Sequence, residues 1–147
     1  MIVVENLYKS FGDKKNPVHA VAGVSFSAPD GQITGLLGPN GAGKTTTMRM
    51  LYTLMAPDQG RVLVDGFNAV TQATEVRQRL GVLPDARGLY KRLTARENVV
   101  YFGRLQGMDS DTAHARAQEL ARLLDMGSIL DRRTEGFSQG QRVKVAI

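Results

Sequence analysis

The sharpest chemistry in the chain lies in eight consecutive residues. Gly38-Pro39-Asn40-Gly41-Ala42-Gly43-Lys44-Thr45 satisfies G-x-x-x-x-G-K-[ST] with no substitution. A loop that wraps phosphate must turn its backbone N–H groups inward, through conformations that glycine adopts cheaply. A helix starting near Gly43 aims its partial positive charge at the same anion. In this reading Lys44 reaches the β- and γ-phosphates, and the Thr45 hydroxyl completes a Mg²⁺ shell made mostly of phosphate and water. The alternative is a plain glycine-rich turn. At average residue usage, two fixed glycines plus Lys and Ser/Thr arise by chance in a chain this long less than about 1% of the time. A dinucleotide fingerprint fails, because Thr46 stands where its third glycine belongs.

The elements needed to position such a loop are present. Ile33–Leu37, just before it, is an apolar run with the length of a buried strand, and a helix is expected from about Lys44 to Met55, ended by Pro57. Ile2–Val4 and Val18–Ser27 read as strands separated by the polar stretch Gly12–Pro17, and Arg61–Val64 as another closed by Asp65-Gly66. The apolar run ending at Asp65 mimics a Mg²⁺-binding strand, but the following Gly66 makes a turn the better account. Thr71–Arg79 has helical character and leads to Gly81-Val82-Leu83, which Pro84 stops. Thr94-Ala95-Arg96-Glu97 is a capping box for a helix to about Leu105. Asp109 or Ser110 caps another helix, with Ala113, Ala117, Leu120, Ala121 and Leu124 on one face. Strand-rich sequence to about residue 86 therefore gives way to a helical subdomain over about 87–137 and a further helix start at 138–147.

Composition narrows the functional classes. With 42% hydrophobic and 22% charged residues the 147-residue chain is globular rather than disordered. The absence of cysteine excludes disulfides, thiol catalysis and cysteine metal sites. No apolar run approaches the roughly 18 residues of a membrane helix, and MIVVENLYKS is not a signal peptide. His19 and His114 are isolated and read as structural or solvated residues. A soluble, cytoplasmic chain is expected.

Four segments together resemble the nucleotide-binding subunit of an ATP-binding-cassette (ABC) transporter, from Met1 to Ile147. Leu7-Tyr8-Lys9-Ser10-Phe11-Gly12 resembles the stretch whose aromatic residue stacks on adenine, which implies that role for Phe11. The phosphate loop GPNGAGKTT, through Thr46, has the family's spelling. Gly81-Val82-Leu83-Pro84-Asp85 resembles the approach to the coupling loop. Phe137-Ser138-Gln139-Gly140-Gln141 resembles the signature, which implies that Ser138, Gln139, Gly140 and Gln141 face the γ-phosphate of a second subunit. Without the resemblance, Phe11 reads rather as a loop aromatic packed on the sheet, and Ser138-x-x-Gln141 is only a capping box. Asp85 stands where the family has a glutamine that helps bind Mg²⁺ and position water. Phe137 and Gln139 replace the usual Leu and first Gly of the signature. With Gly88–Met108, these variants resemble the ABC-2-type exporter branch, most closely the sodium-exporter ATPase subunits.

The resemblance implies an α/β P-loop NTPase fold with a small antiparallel β portion and a helical subdomain. It implies MgATP as ligand, Lys44 and Asp85 in catalysis, and Thr45 and Asp85 on the metal. It also implies a homodimer around two nucleotides and a transmembrane permease partner at the inner face of the membrane, for export of a substrate such as sodium or a drug. The Mg²⁺-binding Asp and the water-polarising Glu of the family follow the signature helix. The 147 residues thus resemble the N-terminal part of a cassette lacking C-terminal core strands, expected to be inactive alone. Arg77–Arg104 holds seven basic residues against Asp85 and Glu97, and the rest of the chain is neutral. That segment is a solvated face or a surface beside the membrane partner and anionic headgroups. No aromatic platform for nucleic acid stands beside it. The alternatives are an ABC ATPase acting on the ribosome or DNA and a non-catalytic nucleotide-binding fragment. A long coiled coil, as in DNA-repair members, does not fit between Lys44 and Ser138.

Overall fold

The computed structural model describes residues 1–13, 15–83 and 88–147. The chain divides into two units, Met1–Gly81 and Val82–Ile147. The first contains β1 (Ile2–Phe11), β2 (Val18–Ala28), α1 (Lys44–Leu51), β3 (Gln59–Val64), β4 (Phe67–Asn68) and α2 (Ala73–Arg77). The four strands form an antiparallel sheet in the order β2-β1-β3-β4.

β1 is longer than the Ile2–Val4 stretch that reads as a strand in the sequence. It continues past Val4 to Phe11 because β2 and β3 pair with it on both sides. Val4 and Leu7 are both buried, although residues three apart face opposite sides of a regular strand. From Val4 to Leu7 β1 advances three residues while β2 advances two, from Glu5 to Tyr8 it does the same against β3, and Asn6 takes φ 45°. This bulge resets the alternation and returns Leu7 to the core. Gly60 lies against it: a Cβ there would stand 2.2 Å from the Asn6 carbonyl oxygen. Val4, Leu7, Val21 and Val62 pack with Met50 and Leu51 of α1. The β3–β4 hairpin turns through Asp65 (φ 49°) and Gly66 (φ 81°), the two left-handed residues a tight hairpin requires.

Two expectations fail in this unit. Ile33–Leu37 is not a strand; Ile33 and Leu37 are fully or almost fully exposed. A buried strand needs paired neighbours, and among the described residues none pairs with this run. Instead it borders an open apolar groove of about 320 Å³ lined by Val24, Phe26, Leu36, Met48 and Leu51 among others. Second, α1 ends at Leu51, short of Met55. Thr53 takes φ 66° and the Leu54 amide reaches back to the Arg49 carbonyl at 2.8 Å, closing the helix four residues early.

The second unit holds α3 (Ala95–Leu105), α4 (Ser110–Leu123) and α5 (Gln139–Ala146). Thr94 and Glu97 form the reciprocal capping box of α3, and Asp109 caps α4 through the Thr112 amide at 2.9 Å. Ala113, Ala117 and Ala121 are buried on one face of α4, whose small side chains let Val100 of α3 approach. Ala95, Ala121, Met126, Leu130, Phe137 and Val145 form the larger core of this unit. Asn98, wholly buried, organises the turn before α3: it accepts from the Tyr90 amide at 2.8 Å and donates to the carbonyls of Tyr90 and Thr94. The Thr134 hydroxyl donates to the same Tyr90 carbonyl, tying this turn to the segment before α5. Gly81-Val82-Leu83 adopts no strand and is open to solvent.

Candidate functional site

The phosphate loop lies directly on β2. Gly43 is the N-cap of α1 in a left-handed conformation, φ 80°, and a Cβ there would stand 2.1 Å from the Ala20 carbonyl oxygen and 3.1 Å from Val21 Cγ2. Only glycine allows both the backbone angle and the approach. Gly41 is likewise left-handed at φ 85°, and the Ala42 amide closes a turn onto the Pro39 carbonyl at 3.2 Å. A Cβ on Gly38 would press on Ala42 Cβ at 3.3 Å.

α1 starts with no side-chain cap and no acid in its first turn. The first intrahelical hydrogen bond runs from the Thr47 amide to the Gly43 carbonyl at 2.8 Å, so the amides of Lys44, Thr45 and Thr46 precede it and this end of α1 presents donors and the positive end of the dipole. The Lys44 ammonium donates to the carbonyls of Gly38 and Pro39, each at 2.7 Å, and so closes the loop across its mouth. Asn40, Gly41, Ala42 and Thr45 are exposed, and Thr46 is half-buried. Thr47, one position on, is buried and faces the core.

Phe11 ends β1 and is 43% exposed, which fits a platform better than a packed core aromatic. It pairs with Val18, two residues from the Ala20 carbonyl that Gly43 touches, and Ser10 pairs with His19, next to Ala20. Phe11 and the phosphate loop therefore gather on the same stretch of β2. Asp58 fastens this corner: it accepts from Lys9 Nζ and from the Ser10 amide, each at 2.7 Å, and both hold its carboxyl below the usual range, Lys9 more than Ser10. Lys9 Nζ stands 5.9 Å from the Phe11 ring centroid. Neither Asp58 nor Ala20 was recognisable from the sequence as part of this corner. An Asp after Pro57 reads as a turn residue, and nothing in Val18–Val21 marks Ala20 as the bulged residue left unpaired between Lys9–Val21 and Ser10–His19.

Asp85 lies outside the described residues. Ser138, Gln139, Gly140 and Gln141 belong to the second unit. Ser138 caps α5 reciprocally with Gln141, at 3.0 and 3.2 Å, so the capping-box reading holds in the structure. Gln139 and Gly140 are exposed in the first turn, while Phe137 is buried in the core with the Arg132 guanidinium 5.7 Å from its ring. Phe137 thus has a packing role, while Ser138, Gln139, Gly140 and Gln141 stand at the start of the helix.

Part of the basic segment has structural partners. Arg96 grips Asp131 with two hydrogen bonds, at 2.6 and 3.1 Å, and reaches Gln118 at 3.0 Å. Arg79 lies 4.0 Å over the Phe67 ring. Lys91, Arg92 and Arg104 are exposed. Among the described residues no three His, Asp or Glu side chains converge to hold a metal on their own, and no helix is long and apolar enough to cross a membrane.

A strand-supported glycine loop, a left-handed N-cap and a lysine across the loop define a P-loop phosphate-binding site. The ABC transporter family matches residues 21–147, and the chain belongs to that family. The ABC transporter ATP-binding protein NatA of Bacillus subtilis (strain 168) is 47% identical over 148 residues, spanning all of this chain and 60% of NatA. The daunorubicin resistance ATP-binding protein DrrA3 of Streptomyces coeruleorubidus is 40% identical over 141 residues, 96% of this chain and 43% of DrrA3. The chain thus spans less than two thirds of either relative. Its fold matches the dimeric post-hydrolysis structure of the ATP-binding cassette MJ0796 bound to ADP and Pi. The TM-score is 0.84 at 24% identity, over 99% of this chain and 68% of that one.

Proposed function

We propose that this chain binds ATP through Gly38–Thr46 and Phe11, and that the whole protein hydrolyses it to drive export through a membrane permease. The observation that carries the reading is the loop itself. Gly43 sits left-handed on β2, the Lys44 ammonium lies across the loop on the Gly38 and Pro39 carbonyls, and the first turn of α1 carries no acid. A triphosphate placed in it would draw the Lys44 ammonium from the Gly38 and Pro39 carbonyls, replacing neutral acceptors with charged ones. Adenine would lie on Phe11 at the same end of β2.

Mg²⁺ fits this donor set as a shared ligand. The exposed Thr45 hydroxyl supplies one oxygen, and phosphate and water must supply most of the rest; Asp85, the other oxygen donor expected from the sequence, lies outside the described residues. Bound there, the ion would neutralise charge on the terminal phosphates. The protein's own contribution is to fix the phosphates with Lys44 and the loop amides and to hold the base on Phe11.

Exporter coupling rests on the relatives. NatA is named as an ABC transporter ATP-binding protein and DrrA3 as a daunorubicin resistance ATP-binding protein. A second copy is the natural partner for Ser138, Gln139, Gly140 and Gln141, and the MJ0796 cassette is itself described as dimeric. A permease at the inner face of the membrane is the other partner, with exposed Lys91, Arg92 and Arg104 as cations suited to that surface.

The test is Lys44→Ala with MgATP binding measured by equilibrium titration. Charge-assisted hydrogen bonds are worth about 1.5–3 kcal/mol each, so affinity should fall by about 10- to 100-fold. An unchanged affinity would remove the phosphate-loop assignment.

A further inference from the structure

We propose that Lys9, anchored by Asp58, is a positioning residue that sets the ring of Phe11 to receive the base; this rests on the stacking reading of Phe11. Lys9 and Phe11 are two residues apart on β1 and so project from one face of the sheet. Val21 pairs with Lys9 and shares that face, and its Cγ2 would stand 3.1 Å from a Cβ on Gly43. The ring and the start of α1 therefore belong to the same side of the sheet.

Strand pairing fixes the backbone of Phe11 opposite Val18, but it leaves the side chain a choice of staggered wells. Close packing does not make that choice. Phe11 is half exposed, and Val18 opposite it is 65% exposed. Lys9 Nζ lies over the ring, 5.9 Å from its centroid. A cation over one face attracts the ring to that setting and leaves the other face for a base.

The cation is itself seated. The Lys9 side chain is 19% exposed, and its ammonium donates to Asp58 at 2.7 Å. Asp58 is fixed in turn by two backbone contacts. Its second carboxylate oxygen accepts from the Ser10 amide at 2.7 Å, and its own amide donates to the Tyr8 carbonyl at 2.9 Å. Asp58 thus continues the grip on β1 just beyond Tyr8–Gln59, where the β1–β3 pairing ends. Lys9 spends its charge on Asp58 and the ring, so its loss should be felt by the base and not by the phosphates.

The experiment titrates the protein with ATP and, separately, with inorganic tripolyphosphate. It compares the wild type with Lys9→Met, Asp58→Asn, Lys9→Arg, Phe11→Ala and the Lys9→Met, Phe11→Ala double variant. Lys9→Met keeps the apolar stem without the charge, and Asp58→Asn keeps the charge without its anchor. Each should weaken ATP about 2- to 5-fold, the worth of an exposed cation–π contact, and leave tripolyphosphate unchanged. Lys9→Arg, which keeps a cation for both Asp58 and the ring, should bind ATP as the wild type does. Phe11→Ala should lose about 5- to 150-fold in ATP affinity, and adding Lys9→Met to it should cost nothing more. Equal loss of ATP and tripolyphosphate in Lys9→Met would mean a phosphate contact or a folding role and would overturn the proposal. So would a further loss in the double variant, which would show Lys9 acting without the ring. Full ATP affinity in Lys9→Met, beside a loss in Phe11→Ala, would overturn it and leave Phe11 as the platform. Full affinity in Phe11→Ala would instead remove the stacking reading and the proposal together.

Discussion

Replacing Asn98 with alanine should destabilise the second unit by about 2–3 kcal/mol, and the structure shows where that figure comes from. Asn98 is fully buried and its Oδ1 is the acceptor for the Tyr90 amide at 2.8 Å. Its Nδ2 donates to the Tyr90 and Thr94 carbonyls, but these keep other partners: the Thr134 hydroxyl for Tyr90, and the backbone amide of residue 98 for Thr94. The damage therefore concentrates on one orphaned N–H, worth about 1–3 kcal/mol, with a smaller addition for lost packing. Asn98→Asp should be worse at neutral pH. Its carboxylate can still accept from Tyr90 but turns a buried charge toward two carbonyls. Acidification should partly relieve this variant, because the protonated acid regains a donor. Native-state hydrogen exchange of the α3 amides reads the unit's opening free energy without assuming that both units unfold together. A loss below about 0.5 kcal/mol in Asn98→Ala, the scale of an ordinary surface change, would refute the accounting. So would an Asp variant as stable as the wild type.

Gly43→Ala should abolish tight ATP binding as thoroughly as Lys44→Ala. The left-handed angle alone costs about 1–2 kcal/mol, and a Cβ 2.1 Å from the Ala20 oxygen forces the start of α1 away from β2; binding titration checks it, and wild-type affinity would contradict the close approach. Stability should fall at acid pH in both units. Lys9 and the Ser10 amide lower the pKa of Asp58, and Arg96 lowers that of Asp131. Their stabilisation is complete above the ordinary carboxylate value of about 3.9 and is lost as pH falls through the lowered values. Asp58→Asn should flatten this acid dependence in the first unit and Asp131→Asn in the second, read by hydrogen exchange across pH; an unaltered slope would mean the pairs carry no linkage.

Much of the candidate site was legible in the sequence because its parts are short and local. Gly41 and Gly43 read as left-handed positions, and Lys44 as a residue placed by the first turn of a helix, because a loop's backbone angles follow from its own residue types. The capping boxes at Thr94 and Ser138 were legible for the same reason: donor and acceptor are three residues apart. What is non-local was not. Val4 and Leu7 share a core only because Asn6 is bulged between two partner strands, and a pattern of alternation cannot reveal an extra residue. Asp58, distant in sequence from Ser10, becomes a clamp only when the chain before β3 lies beside β1. Ile33–Leu37 shows the converse. Its apolar length satisfies the pattern of a buried strand, yet a strand exists only where other strands accept its hydrogen bonds, and no described residue does so. Residue type determined which segments could grip phosphate or start a helix. Only the pairing of distant segments decided that Ala20 would bulge, that Gly43 would rest against it, and that Phe11 would end on the same edge.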